Sequence, residues 1–323
     1  MADRRVVTIG ETMGSFYSQQ PGPLEQAASM AVGIGGAESN VAIGLSRLGT
    51  VATWLGRVGG DSLGRRVVRE LRAEAVDVMV VVDPDAPTGL MIKERRTPTT
   101  TNVWYHRQGS AGSRLEPADM PAGLIAGAAL LHVTGITPSL STTASEAIFE
   151  AIGQAVAAGV PVSFDVNHRS RLWDAETAAP VYRAIAAQAD IVFAGVDEAR
   201  LLVGGSDVAG VDLGVDGLAD KIAALGVEHV VIKLGAEGAR TRTAGRTVSA
   251  AAVPVDVVDT VGAGDGFVAG YLSEFTSGAA VAKCLSTAVA AGAFACTASG
   301  DWEALPTRDD LELLVQDRDP VSR

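Results

Sequence analysis

Aromatic side chains make up only 5% of the 323 residues, and there are just two cysteines, Cys284 and Cys296. Two thiols in a chain of this length do not make a disulfide framework. Both fall in helix-like sequence and are expected to be buried free thiols. No uninterrupted apolar run approaches the roughly 20 residues needed to span a bilayer. The opening Met1-Ala2-Asp3-Arg4-Arg5 leads into Val6-Val7-Thr8-Ile9, too short for the apolar core of a signal peptide. A cytoplasmic protein is the expectation. Positive charge is also in deficit, with 26 Lys and Arg against 38 Asp and Glu for a formal charge of −12. No basic cluster offsets it, which argues against nucleic acid and anionic membrane as partners. An anionic small molecule can still bind where cations gather locally, and Arg107 and Arg169 are the candidates. There is no GxxxxGK[ST] stretch, so this is no P-loop protein. The four histidines, at 106, 132, 168 and 229, show no metal-ligand spacing.

Hydrophobic residues reach 47% and are arranged in a clear rhythm. Strand-like runs rich in Val and Ile cover residues 6–9, 51–55, 78–82, 129–133, 160–164, 191–193 and 230–232. Helical patterns lie between them at 37–48, 62–75, 143–158, 178–187 and 218–225. Strand–helix alternation with continuously apolar strands predicts an α/β fold with a largely parallel sheet covered on both faces. Ligands of such sheets bind beyond the carboxyl ends of the strands. Two segments break the rhythm. Residues 13–34 are rich in Gly, Pro, Ser and Gln, and residues 88–113 hold strand-like pieces at 89–93 and 102–107. A small β flap built from both, lying over the ligand edge, accounts for them, since long excursions in compact domains are usually functional. No linker divides the chain, so one domain over 1–323 is expected.

The richest stretch is Asp259-Thr260-Val261-Gly262-Ala263-Gly264-Asp265-Gly266-Phe267. The segment 267–275 reads as helix, which puts the amides of Ala263, Gly264 and Asp265 at a helix N-terminus. Such a terminus carries about half a positive charge and unpaired N–H groups, and so it cradles anions. Asp265 places a carboxylate within that cradle, which suits a base that takes a proton from a hydroxyl attacking a phosphate. An isolated Gly-x-Gly-Asp is more often a tight turn with a capping Asp. The rest of the chain reverses those odds. Gly33-Ile34-Gly35-Gly36-Ala37-Glu38-Ser39-Asn40 also runs from loop into helix; Gly35 and Gly36 would let a polyol reach the backbone, and Asn40 could bind its hydroxyls. Arg107 beside Tyr105 offers a planar fork for a carboxylate.

These two glycine motifs, some 220 residues apart, together resemble the ribokinase-like (PfkB) carbohydrate kinases, and the resemblance covers nearly the whole chain. Within that family the chain looks most like the 2-keto-3-deoxygluconate kinase branch. The likeness rests on Tyr105-His106-Arg107-Gln108-Gly109-Ser110-Ala111-Gly112-Ser113, Leu131-His132-Val133-Thr134-Gly135-Ile136-Thr137-Pro138, Asp165-Val166-Asn167-His168-Arg169-Ser170-Arg171-Leu172-Trp173 and Ser299-Gly300-Asp301. The resemblance implies a ribokinase-like three-layer fold with a small β-strand lid. It implies transfer of phosphate from ATP, with Mg2+, to the terminal primary hydroxyl of that sugar acid. Asp265 would be the base, with Gly262, Ala263 and Gly264 cradling the moving group. Gly35, Gly36, Asn40, Tyr105, Arg107, Arg169, Asp265 and Asp301 would face the sugar. Asn167, Lys233, Gly235, Ala236 and Gly238 would face the nucleotide, joined there by Gly262 and Gly264.

Neutral-sugar members commonly carry an Asp near Ser15, and its absence favours an acid. Met91 stands at a flap position that is usually aromatic in this branch. Gly195 replaces the Asn of an Asn-x-x-Glu motif linked to magnesium, leaving Glu198 to act through water. The resemblance leaves room for a monovalent cation near Asp259 and for a homo-oligomer. Two other readings stand beside it: a kinase for fructose or a related keto acid, and a non-catalytic sugar or nucleotide sensor on the same fold.

Overall fold

The computed structural model describes residues 5–97, 100–204 and 213–314. Residues 1–4 of the charged opening lie outside that range. Each Val- and Ile-rich run becomes a strand: β1 (Val6–Ile9), β4 (Ala52–Gly59), β5 (Asp77–Asp83), β8 (Leu130–Thr134), β9 (Val162–Asp165), β10 (Ile191–Gly195) and β11 (His229–Lys233). These pair in parallel in the order β11-β10-β9-β8-β1-β4-β5. An antiparallel hairpin, β12 (Ala239–Thr243) and β13 (Arg246–Ala250), extends the β11 edge to nine strands. The sequence reading did not separate this hairpin, because its Arg- and Thr-rich strands lack a continuous apolar run.

Helices α3 (Thr142–Ala158), α4 (Ala175–Ala186), α5 (Val196–Val203) and α6 (Val215–Ala223) cover one face over Val7, Ile9, Leu131 and Phe164. On the other face α1 (Ala37–Arg47), α2 (Ser62–Ala73), α7 (Ala263–Ser277) and α8 (Val281–Ala295) pack over Trp54, Phe193 and Val231. Continuous apolar strands are needed because both faces of the sheet are buried. The few aromatics are concentrated in this interior. Phe193 meets the edge of Tyr271 at a ring separation of 5.2 Å.

The two segments that break the rhythm do form a second, four-stranded sheet. Its strands β3 (Ala31–Gly35), β2 (Met13–Tyr17), β6 (Leu90–Thr97) and β7 (Thr100–His106) lie in that order. β2 pairs in parallel with β6, and the outer pairs are antiparallel. Register sets Ser15 beside Met91, and Met91 beside Tyr105. Trp104 and Tyr105 are both 42% exposed, so β7 offers large aromatic surface to ligand or solvent.

Two expectations need correction. The helix expected from Phe267 begins at Ala263, because Gly262 adopts a left-handed cap (φ 77°) and the helix starts directly after it. Cys284 is a buried free thiol, but Cys296 is only half-buried, since it caps the end of α8 rather than sitting within it. Among the described residues no helix is long and apolar enough to cross a membrane.

Candidate active site

The polar residues singled out by sequence gather where the parallel strands end. α7 opens there with Ala263, Gly264 and Asp265 in its first turn. Position 262 accepts only glycine for two reasons: φ is +77°, and a β-carbon would sit 1.9 Å from the Asp301 carbonyl oxygen. Asp301 is thereby held against the cradle. Asp265 is buried, and its Oδ2 accepts a hydrogen bond of 2.8 Å from Asn40 Nδ2. Asn40 belongs to the first turns of α1, so the two glycine motifs meet through this one contact. The Oδ1 of Asn40 is buried with no hydrogen-bond partner among the described residues. Such an orphan acceptor asks for a partner, and a ligand hydroxyl beside Asp265 would supply it.

On the other side, Lys233 at the end of β11 donates to Asp165 Oδ1 at 2.8 Å. A β-carbon on Gly264 would lie 3.9 Å from the Lys233 ammonium, so this cation borders the cradle. Asn167 sits just past β9 in the left-handed region (φ 40°), and its Nδ2 donates to Asp165 Oδ2 at 3.4 Å. Gly235 and Ala236 are exposed in the turn from β11 to β12, with Gly238 buried behind them. Glu198 has both oxygens committed: Oε1 accepts from the His168 amide at 2.9 Å and Oε2 from the Gly195 amide at 2.6 Å.

Burial is the main force on Asp265. It disfavours the charged form and pushes the pKa from 3.8 to about 7, with Asp165 adding to the rise while Asn40, Arg169 and Lys233 oppose it. The carboxylate is thus poised near neutral pH, where a general base works best. Burial would lower the pKa of Lys233, but Asp165 and Glu198 outweigh it, and the ammonium is held more firmly charged. His132 is fully buried and held neutral, its pKa lowered to about 3 by burial and by Lys233. It lies within β8.

The residues expected to face the sugar gather along the small sheet and the turn that holds Asp301. Gly35 packs where a β-carbon would strike both Met91 and the Asp301 carboxylate, while Gly36 lies against the Glu11 carbonyl. Lys93 on β6 forms a short ion pair with Asp301. Arg107 stacks over Tyr105 at 5.9 Å. It was expected to be free for a ligand carboxylate, but it is buried and already paired: its Nε donates to Glu11 Oε2 at 2.7 Å. Arg169 is exposed, and its charge reaches Asp265. Glu11, Lys93 and Asp165 were not assigned roles from sequence. The available signal was a charged residue one or two positions beyond an apolar strand, as at Glu11 and Asp165.

A pfkB family carbohydrate kinase model matches residues 3–308. The chain belongs to the pfkB family of carbohydrate kinases. It is 38% identical to the 2-dehydro-3-deoxygluconokinase of Bacillus subtilis over 94% of this chain and 93% of the relative. Identity to the 2-dehydro-3-deoxygalactonokinase of Haloferax volcanii is 34%, over 97% of both chains. Among solved structures, a Vibrio cholerae fructokinase with fructose, ADP and calcium bound has a TM-score of 0.85 and 26% identity, covering 98% of this chain and all of that one. The kinase has the ribokinase-like α/β fold, and the small sheet is built from the two segments from which a lid was expected.

The raised pKa of Asp265 gives two linked expectations. In the free enzyme, kcat/KM rises with pH as the carboxylate forms near pH 7. Stability moves the opposite way: a carboxyl with a raised folded-state pKa favours folding fully below pH 3.8, and that contribution is lost as pH rises through about 7. The melting temperature of Asp265→Asn, relative to wild type, should therefore climb between pH 4 and pH 8. Thermal melts across that range check it, and a flat difference would rule out a buried ionising Asp265.

Proposed function

We propose that this kinase transfers the γ-phosphoryl group of ATP to the terminal primary hydroxyl of 2-keto-3-deoxygluconate, with Asp265 as general base. The observation that carries the reading is a buried carboxylate of near-neutral pKa inside a helix N-terminal anion cradle. Likeness to kinases named for 2-dehydro-3-deoxy sugar acids supports the substrate class. Its galacto epimer is the near alternative. A neutral ketose is the next, given the fructose-bound structural neighbour.

In this reading the sugar lies between lid and cradle, its terminal hydroxyl toward Asp265 and its other hydroxyls toward Asn40, Gly35, Gly36 and Asp301. Asp265 takes the hydroxyl proton as the oxygen attacks. The Gly262–Asp265 amides hold the developing charge on the phosphoryl group, a preorganised arrangement that costs no rearrangement at the moment of reaction. Lys233 and Arg169 add positive charge beside it. Lys233, Gly235, Ala236, Gly238 and Asn167 border the nucleotide. Among the described residues no group of three or more His, Cys, Asp or Glu is arranged as a metal cage. That suits Mg2+ arriving on nucleotide phosphates and keeping most of its waters, where it would neutralise phosphate charge. A guanidinium has five N–H donors, so Arg107, although paired with Glu11, retains its Nη1 group for the substrate carboxylate. Dependence on ATP puts the reaction in the cytoplasm.

Removing the base is the first test. Asp265→Asn should still bind sugar while turnover falls by about 10²–10⁴; near-normal turnover would make Asp265 a helix cap only.

The substrate class is tested at Arg107. Loss of a charged hydrogen bond, about 1.5–3 kcal/mol, should weaken use of 2-keto-3-deoxygluconate roughly ten- to a hundredfold in Arg107→Ala. Fructose, with no carboxylate, should lose much less. Equal losses for both sugars, or a wild type that prefers fructose, would leave only a general sugar kinase.

A further inference from the structure

Glu11 lies two residues beyond the end of β1 and is only 2% exposed. Its Oε2 receives both Nε of Arg107, at 2.7 Å, and Nη2, at 2.6 Å. Its Oε1 accepts the Ser110 hydroxyl. The Ser110 amide in turn donates to the Arg107 carbonyl at 3.1 Å. One carboxylate thus closes both ends of the turn by which lid strand β7 rejoins the body. Room is kept for it, since a β-carbon on Gly112 would lie 2.3 Å from the Glu11 side chain and one on Gly89 2.5 Å from it.

A buried carboxylate is costly unless paired, and its partner here is the arginine offered above to the substrate. Tyr105 covers one face of that guanidinium and Glu11 takes its Nε/Nη2 edge. A planar group fixed on one face and one edge has a single orientation, with the Nη1 edge left over. Glu38, another buried acid whose charge reaches Arg107, accepts the hydroxyls of Thr134 and Thr137 on its Oε1 at 2.6 and 2.7 Å. We propose that Glu11 is a positioning residue for substrate selectivity, holding Arg107 so that its Nη1 edge meets the carboxylate of the sugar acid. The inference rests on the proposed pairing of Arg107 with that carboxylate.

The test is a double-substitution cycle read as KM and kcat for 2-keto-3-deoxygluconate and for fructose. Glu11→Asp keeps the charge but shortens the reach. It should raise KM for the acid by about tenfold with kcat little changed, and leave fructose within about threefold. Glu11→Gln can still accept from Arg107 and donate to Ser110, and should restore KM for the acid to within about threefold of wild type. In an Arg107→Ala background, Glu11→Asp should change the acid-to-fructose ratio by less than about twofold, because it acts through a side chain that is gone. Equal effects on both sugars, or effects of Glu11→Asp and Arg107→Ala that simply multiply, would mark Glu11 as a structural staple and overturn the proposal. If Glu11→Asp does not fold, Ser110→Ala removes the second anchor and runs through the same cycle, where an unchanged ratio overturns it equally. An Arg107→Ala enzyme with an unaltered ratio sinks the substrate class itself; a collapsed ratio there with none in Glu11→Asp sinks only the positioning role.

Discussion

Asp265 is kept from water in the first turn of α7, and a charge buried in that way must be offset by its neighbours or given up. Both happen in part. Asn40 donates to one oxygen, Arg169 and Lys233 lend positive charge, and the helix terminus contributes its own dipole. What these leave uncompensated appears as a pKa of about 7. Fuller compensation would stabilise the carboxylate and make it a poorer base. The site holds Asp265 between these limits, and α1, α7 and the ends of β9 and β11 all contribute to that balance.

The charge arrangement also explains how a protein of formal charge −12 serves an anionic reaction. Lys233 is matched to Asp165, Lys93 to Asp301 and Arg107 to Glu11. Each pair joins two segments remote in sequence, so the cations are fixed in place before a ligand arrives. Pairing reduces their net field, which suits a site that must release a phosphorylated product as well as bind its substrates. Among the described residues Arg169 forms no ion pair; it is exposed, and its charge reaches Asp265.

The largely parallel sheet and the helix start at the second glycine motif were legible because each rests on a local signal, whereas the strand order was not read from sequence. Apolar strands bounded by helical periods announce a parallel sheet, and Gly262-Ala-Gly-Asp265 announces a helix start. The lid was legible from its interruption of that rhythm. What stayed hidden depends on pairing across long separations. Glu11 and Arg107 are 96 positions apart, and Lys93 and Asp301 are 208 apart. Nothing near Arg107 in sequence tells that a carboxylate from just beyond the first strand occupies one edge of its guanidinium. The β12–β13 hairpin was missed for a different reason: as an edge ribbon it needs no continuous apolar run.

One turn ties the small sheet to α7. The Asp301 carbonyl packs against Gly262 at the start of α7, while its carboxylate holds Lys93 of lid strand β6. The turn itself is braced from below: Arg47 at the end of α1 donates to the carbonyls of Trp302, Glu303 and Leu305 at 3.2, 3.1 and 2.6 Å. Glu303 then accepts from the Asp301 and Trp302 amides at 2.8 and 3.1 Å. α1 therefore works at both ends, with Asn40 on Asp265 at one and Arg47 on the turn at the other. Because a helix is stiff over 11 residues, Asp265, the start of α7 and the Lys93–Asp301 contact share one frame. A displacement of the turn would reach the lid and the cradle together, which is why a small segment near the carboxyl end of the chain bears on a motif near its beginning.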